Sequence, residues 1–141
     1  MRKEKSCGAV VYRKNGDTSE FLLEHMVQGH TSIPKGHVEG NETEEETALR
    51  EIREETNLEV ELDTSFRRVI TYSPAPGAVK DVVFFIAEAR GGLLINQECE
   101  VTSLEWLPFE SAVKSLTHES DRETLRAAYE YLTERKGETG S

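Results

Sequence analysis

Cysteine is scarce in this chain. Cys7 and Cys99 are the only two in 141 residues, too few and too isolated for a disulfide framework or a cysteine-ligated metal cluster. Two buried or half-buried thiols are the expectation. Long apolar runs are also missing. No window approaches the roughly 18–20 consecutive apolar residues that a membrane-spanning helix needs. The opening Met1-Arg2-Lys3-Glu4-Lys5 is charged and lacks the apolar core of a signal peptide, so the cytoplasm is the expected location. Basic residues are in deficit, with 17 Lys and Arg against 27 Asp and Glu and a net charge of −10. That balance provides no basic stripe for nucleic acid. It still leaves room for an anionic small molecule, because bound metal and a few local lysines can reverse the field at one site. There is no P-loop and no visible Ser-His-Asp arrangement, which makes water the expected nucleophile. Internal repeats, linkers and low-complexity segments are lacking too. One domain over 1–135 is expected, with a flexible tail at 136–141.

What the chain has in excess is acid, concentrated in one stretch. From Glu39 to Glu59 there are nine carboxylates against two arginines, Arg50 and Arg53. Such a run usually marks a solvated face or disorder, but its spacing points to a helix. Asn41 is an expected N-cap with Glu44 as its reciprocal partner. Glu42, Glu44, Glu45 and Glu46 then fall in the first turns, where the helix dipole favours negative charge. Ala48, Leu49, Ile52 and Thr56 fall on a face that can pack into a core. Glu51, Glu54 and Glu55 stand at i, i+3 and i+4 on a neighbouring face, near the end where the dipole disfavours anions. Something cationic is expected against them: either Arg50 and Arg53 alone, or a hard divalent cation, which binds oxygen ligands of this kind.

Around this stretch the chain reads as strands and then helices. Ser6 to Arg13 reads as a strand, Asn15-Gly16 as a hairpin turn, and Phe21-Leu22-Leu23 as the start of a central strand apolar on both faces. Gln28 to Ser32 reads as a polar loop. Glu59–Leu62 and Phe66–Tyr72 read as two strands, Ser73 to Gly77 as a loop, and Lys80–Ala89 as a central strand. Asn96 to Glu100 is an acidic loop, and Leu104–Leu107 a short strand with the sole tryptophan, Trp106. Phe109–Leu116 and Asp121–Glu134 read as helices, the second with Leu125, Ala128, Tyr129 and Leu132 on one face. This is an α+β pattern.

The acidic stretch resembles the Nudix box: Gly, five residues, Glu, seven residues, Arg-Glu, an aliphatic, any residue, Glu-Glu, any residue, Gly, an aliphatic. Gly36, Glu42, Arg50, Glu51, Ile52, Glu54, Glu55 and Leu58 match. One position departs, with Asn57 in place of the final Gly; Asn is the next most tolerant residue of a left-handed backbone. The resemblance covers nearly the whole chain. It implies an α/β/α sandwich with a mixed central sheet and a catalytic loop-helix-loop, and hydrolysis of a pyrophosphate bond in a nucleoside diphosphate derivative. It maps Glu51, Glu54 and Glu55 onto metal-binding carboxylates for Mg²⁺ or Mn²⁺, and Gly36 onto a box glycine around which a backbone carbonyl adds a ligand. Arg50, with Glu42, maps onto supporting positions that orient the acids. The general base is implied either in the box, at Glu54 or Glu51, or on a later loop, at Glu100 with Glu98 as the fallback.

Within the family, Ser6-Cys7-Gly8-Ala9-Val10-Val11 and Pro34-Lys35-Gly36-His37-Val38-Glu39 are similar to the asymmetrically cleaving diadenosine tetraphosphate hydrolases. The similarity extends to Tyr72 and to Lys80 at the start of the next strand. It implies ATP and AMP as products. Lys35, His37 and Lys80 would place cationic donors along a polyphosphate, and Tyr72 would stack on a base. Such an enzyme is expected as a monomer or a dimer with a small-molecule nucleotide as its partner and no nucleic acid. Two other readings stay open: another Nudix pyrophosphatase acting on nucleoside triphosphates, inositol pyrophosphates or capped RNA, and a non-catalytic nucleotide-binding module.

Overall fold

A computed structural model describes residues 2–96 and 101–140, with side chains described as far as residue 134. The expected tail at 136–141 falls past the last described side chain. The elements run β1 (Arg2–Asn15), β2 (Thr18–Met26), β3 (Thr31–Ser32), β4 (Lys35–His37), α1 (Glu44–Thr56), β5 (Glu59–Tyr72), β6 (Ala78–Gly91), β7 (Val101–Pro108), α2 (Phe109–Ser115) and α3 (Glu119–Gly140). The strands form one mixed sheet in the order β3-β2-β1-β6-β5, with β4 on β1 and β7 on β2. Among the described residues only β1 and β6 pair in parallel, from Arg2 with Ala78 to Tyr12 with Glu88. The α+β reading of the sequence holds.

Alternation along the strands divides the apolar residues between two cores. Cys7, Ala9 and Val11 of β1, Leu22 of β2 and Val83 and Phe85 of β6 pack against Ala48 and Ile52 of α1. On the other face Val10, Phe21, Leu23, Val82, Phe84 and Ile86 pack against Ala112, Leu125 and Ala128 of α2 and α3. Phe21-Leu22-Leu23 thus supplies both cores, as its continuous apolar character requires. None of the described helices is long and apolar enough to cross a membrane.

Four local readings need correction. The N-cap of α1 is Thr43, not Asn41. Its hydroxyl accepts from the Glu46 amide at 3.1 Å, and the Glu46 carboxylate accepts from the Thr43 amide at 2.8 Å, a complete capping box. Asn41 instead belongs to a turn in which the Glu42 amide donates to the Glu39 carbonyl. Leu49 is not in the core face: it is 41% exposed, and Glu55 takes the buried place beside Ile52. Thr31 and Ser32 leave the expected loop to form β3 on the edge of β2. Glu59 to Tyr72 is one strand with an irregularity between Asp63 and Arg68, rather than two strands. The expected left-handed residue is where the sequence places it: Asn57, with φ 65°, ends α1 and donates its amide to the Arg53 carbonyl at 2.8 Å.

Candidate active site

The C-terminal half of α1 lies over β4, and a backbone feature permits the close approach. Gly36 pairs with Cys7 across β1 and β4. A Cβ at Gly36 would fall on the Glu51 carboxylate, which would have to move to admit it.

Arg50 is the hub of the acids. Its Nε donates to Glu42 Oε2 at 2.6 Å and its Nη2 to Glu42 Oε1 at 2.9 Å, a bidentate pair. Nη1 donates to Glu51 Oε1 at 2.8 Å and to Glu54 Oε2 at 3.1 Å, and Nη2 also reaches the His37 carbonyl at 2.9 Å. The Arg50 pair first, and then a bond from the Glu39 amide, pull the Glu42 carboxyl down to about 2. One guanidinium therefore fixes the loop carboxylate, two helix carboxylates and the backbone of β4.

Glu55 has a different environment. It is 6% exposed, and its Oε2 is buried with no hydrogen-bond partner. Burial first, then a hydrogen bond and the charge of Glu24, and then Glu51, push its carboxyl well above the ordinary carboxylate range. Glu24 comes from β2 and is itself 2% exposed. Among the described residues no three acidic side chains surround a common point: Glu51 and Glu54 turn to Arg50, Glu55 to Glu24. A divalent cation nevertheless fits this donor set. The oxygens are hard, and one of them is buried and unpaired. A cation would also reverse the upward pull on Glu55. Glu98 and Glu100, the expected later carboxylates, lie outside the described residues.

The expected substrate residues gather next to this cluster. Lys35 and His37 flank Gly36 on β4. Glu4, Lys80 and Tyr72 form one row across β1, β6 and β5. Alternation with Val82 and Ile70 puts Lys80 and Tyr72 on the α3 side of the sheet. His37 Nε2 lies 3.7 Å from Glu4 Oε1. Burial first, and then the charge of Lys35, lower the Lys80 ammonium from its ordinary value, opposed by Glu4. Burial raises the Tyr72 phenol, with added pressure from Asp121 and Glu4. Tyr72 keeps 44% of its surface exposed.

Three further residues at the α3 end of this patch were not singled out in the sequence. Asp121 is buried, which raises its carboxyl, while Lys35, His118 and Arg122 pull it back. His118 stacks on His30 with ring centroids 5.3 Å apart. These contacts, like that of Glu24 with Glu55, join segments far apart in the chain, and no local pattern announces them. A cavity of about 840 Å³ bordered by Tyr12, Lys14, Phe109 and Tyr129 lies at the other end of α3 and includes none of the box or substrate residues.

A loop-helix-loop rich in carboxylates, laid over a mixed sheet beside a lysine patch, defines a Nudix fold. The family model described as NUDIX domain matches residues 2–128, and the chain belongs to that family. The bis(5'-nucleosyl)-tetraphosphatase [asymmetrical] of Mus musculus is 33% identical over 140 residues, covering 91% of this chain and 95% of that protein. An 8-oxo-(d)GTP phosphatase of Mycolicibacterium smegmatis is 40% identical over 132 residues, covering 86% of this chain but 40% of that protein. In structure, an Ap4A hydrolase of C. elegans in a binary complex superposes with TM-score 0.83 at 28% identity, over 92% of this chain and 98% of that one. This chain is a Nudix hydrolase, and such enzymes generally need a divalent metal.

Proposed function

We propose that the enzyme hydrolyses diadenosine tetraphosphate to ATP and AMP, using Mg²⁺ or Mn²⁺. The observation that carries this reading is the meeting, at β4, of the Glu51–Glu54–Glu55 cluster with the Lys35–Lys80–Tyr72 patch. Glu51, Glu54 and Glu55, with a backbone carbonyl around Gly36, would hold the cation. When bound, the cation supplies charge neutralisation on the phosphates and acidifies water.

The chain's own residues do the rest. Lys35 and Lys80 bind phosphate oxygens, and the lowered Lys80 ammonium gains from an anion beside it. Tyr72 offers an exposed ring on which a base can stack. His37 lies at the same edge and adds a donor. Arg50 holds Glu51 and Glu54 in place. Water adds to phosphorus, the bridging P–O bond on its far side breaks, and a carboxylate takes the water's proton. Glu54 or Glu51 in the box, or Glu100 on the later loop, is the base. A net charge of −10 suits a small substrate gripped at one local lysine patch.

A second reading is a nucleoside triphosphate substrate. The 40% identity to the 8-oxo-(d)GTP phosphatase favours it. Incubation with Mg²⁺ and a panel of dinucleoside polyphosphates, nucleoside triphosphates, inositol pyrophosphates and capped RNA separates the readings. ATP and AMP from the dinucleotide are the expected products. Two ADP, or equal rates in excess chelator, would count against the proposal. Fast turnover of a triphosphate with no dinucleotide cleavage would select the second reading.

A further inference from the structure

The end of β2 carries an unusual residue. Phe21, Leu22 and Leu23 are all buried, and Glu24 follows them at 2% exposure. Alternation puts Glu24 on the same side of the sheet as Leu22, the side covered by α1. An apolar residue would continue the core there. A carboxylate of this burial is rare unless it is paired or coordinates a metal. Its hydrogen-bonding neighbour is Glu55, which in turn touches Glu51. Glu24 and Glu55 thus meet beneath the helix, while Arg50 is committed to Glu42, Glu51, Glu54 and the His37 carbonyl. A second observation is independent of this clustering: Glu55 Oε2 is fully buried and has no hydrogen-bond partner. An oxygen in that state costs free energy until something donates to it or coordinates it.

We propose that Glu24 is an additional carboxylate of the cation site, reaching from the sheet to support, together with Glu55, the side of a divalent cation that faces the core. It rests on the reading of Glu51, Glu54 and Glu55 as cation ligands. Glu24 lies outside the Nudix box and enters the site from a different element. A hydrogen bond to Glu55 is its role in the metal-free protein. In the loaded protein its own carboxylate turns to the cation, which predicts tighter cation binding than the box acids provide alone. Partners of this kind change metal affinity by about 10–100-fold when removed.

The test is Mn²⁺ binding to the full chain, by electron paramagnetic resonance and calorimetry, for wild type, Glu24→Gln, Glu24→Leu and Glu51→Gln. Glu24→Gln keeps size and a hydrogen bond to Glu55, so it preserves the fold. Glu24→Leu removes the acid outright. The expected result is Mn²⁺ affinity about 10-fold or more below wild type in both variants. The melting temperature without metal should be equal or higher, and the rise on adding Mn²⁺ smaller. Wild-type Mn²⁺ affinity in Glu24→Gln, whatever Glu24→Leu shows, would overturn the proposal and leave Glu24 as a hydrogen-bond partner of Glu55 only. If Glu51→Gln also binds like wild type, the cation-site reading beneath it fails as well.

Discussion

Arg50 explains how three acids can stand at i, i+3 and i+4 near the end of a helix. Its guanidinium accounts for Glu51 and Glu54, and Glu42 fixes it from the loop. Glu55 makes no bond to Arg50, and its Oε2 is buried without a hydrogen-bond partner. Glu54 is the half-exposed member, with 48% of its side chain accessible. Glu54→Gln should therefore leave the metal-free melting temperature unchanged or slightly raised, since the amide oxygen can still accept from Arg50. Turnover should fall by at least ~10²-fold, the scale of a lost acid-base group. Mg²⁺ should stabilise wild type by preferential binding to the folded state and stabilise the variant less. Wild-type turnover in the variant would remove Glu54 from the site.

At the scale of the element, α1 shows what sequence pattern conveys and where it slips. The box fixed the helix and its left-handed end because both are local. The N-cap slipped by two residues because Asn41 and Thr43 each have a Glu three positions on, and only the Glu39–Glu42 turn decides between them. Glu24 and Asp121 were illegible because their burial depends on which strand lies under which helix. Asn57→Gly should lie within about 1 kcal/mol of wild type, since Gly adopts the same conformation. Asn57→Val should be clearly less stable in denaturant titration, because a β-branched residue resists φ near 65°. The first turn makes a separate prediction. Glu44 accepts from Arg67 through two bonds of 2.8 Å and lies 2.5 Å from Lys5 Nζ, tying α1 to β5 and β1. These partners, Arg67 first, lower its carboxyl from 4.5 to about 2. A depressed value in the folded state gives stability that is complete above the ordinary value. It is lost as pH falls from about 4.5 towards 2. The stability gap between wild type and Glu44→Gln should be largest near neutrality and close across that window. A gap independent of pH would mean that the pairs contribute nothing through charge.

For the whole molecule, the sheet separates two sets of residues. The α1 face carries the carboxylates, and the α3 face carries Lys80 and Tyr72; β4, at the edge of β1, brings them together through Lys35, Gly36 and His37. The sequence showed both sets of residues but not their juxtaposition, which depends on the parallel pairing of β1 with β6. That pairing sets Glu4 beside Lys80 and Lys80 beside Tyr72. If this row grips substrate, its side chains can be removed without loosening the fold. Tyr72 is nearly half exposed, and Lys80 sits at the start of its strand beside another lysine that lowers its ammonium. Lys80→Ala should thus relieve repulsion with Lys35 as it removes a phosphate contact. Lys80→Ala and Tyr72→Ala should each lower kcat/KM about five- to a hundredfold, the equivalent of roughly 1–3 kcal/mol for a charged contact or a stacked base. Melting temperatures should stay within a few degrees of wild type. Rising salt should weaken the loss from Lys80→Ala more than that from Tyr72→Ala, because screening acts on charge and not on stacking. Near-normal kcat/KM with a large fall in melting temperature would assign both residues to the sheet instead of the substrate.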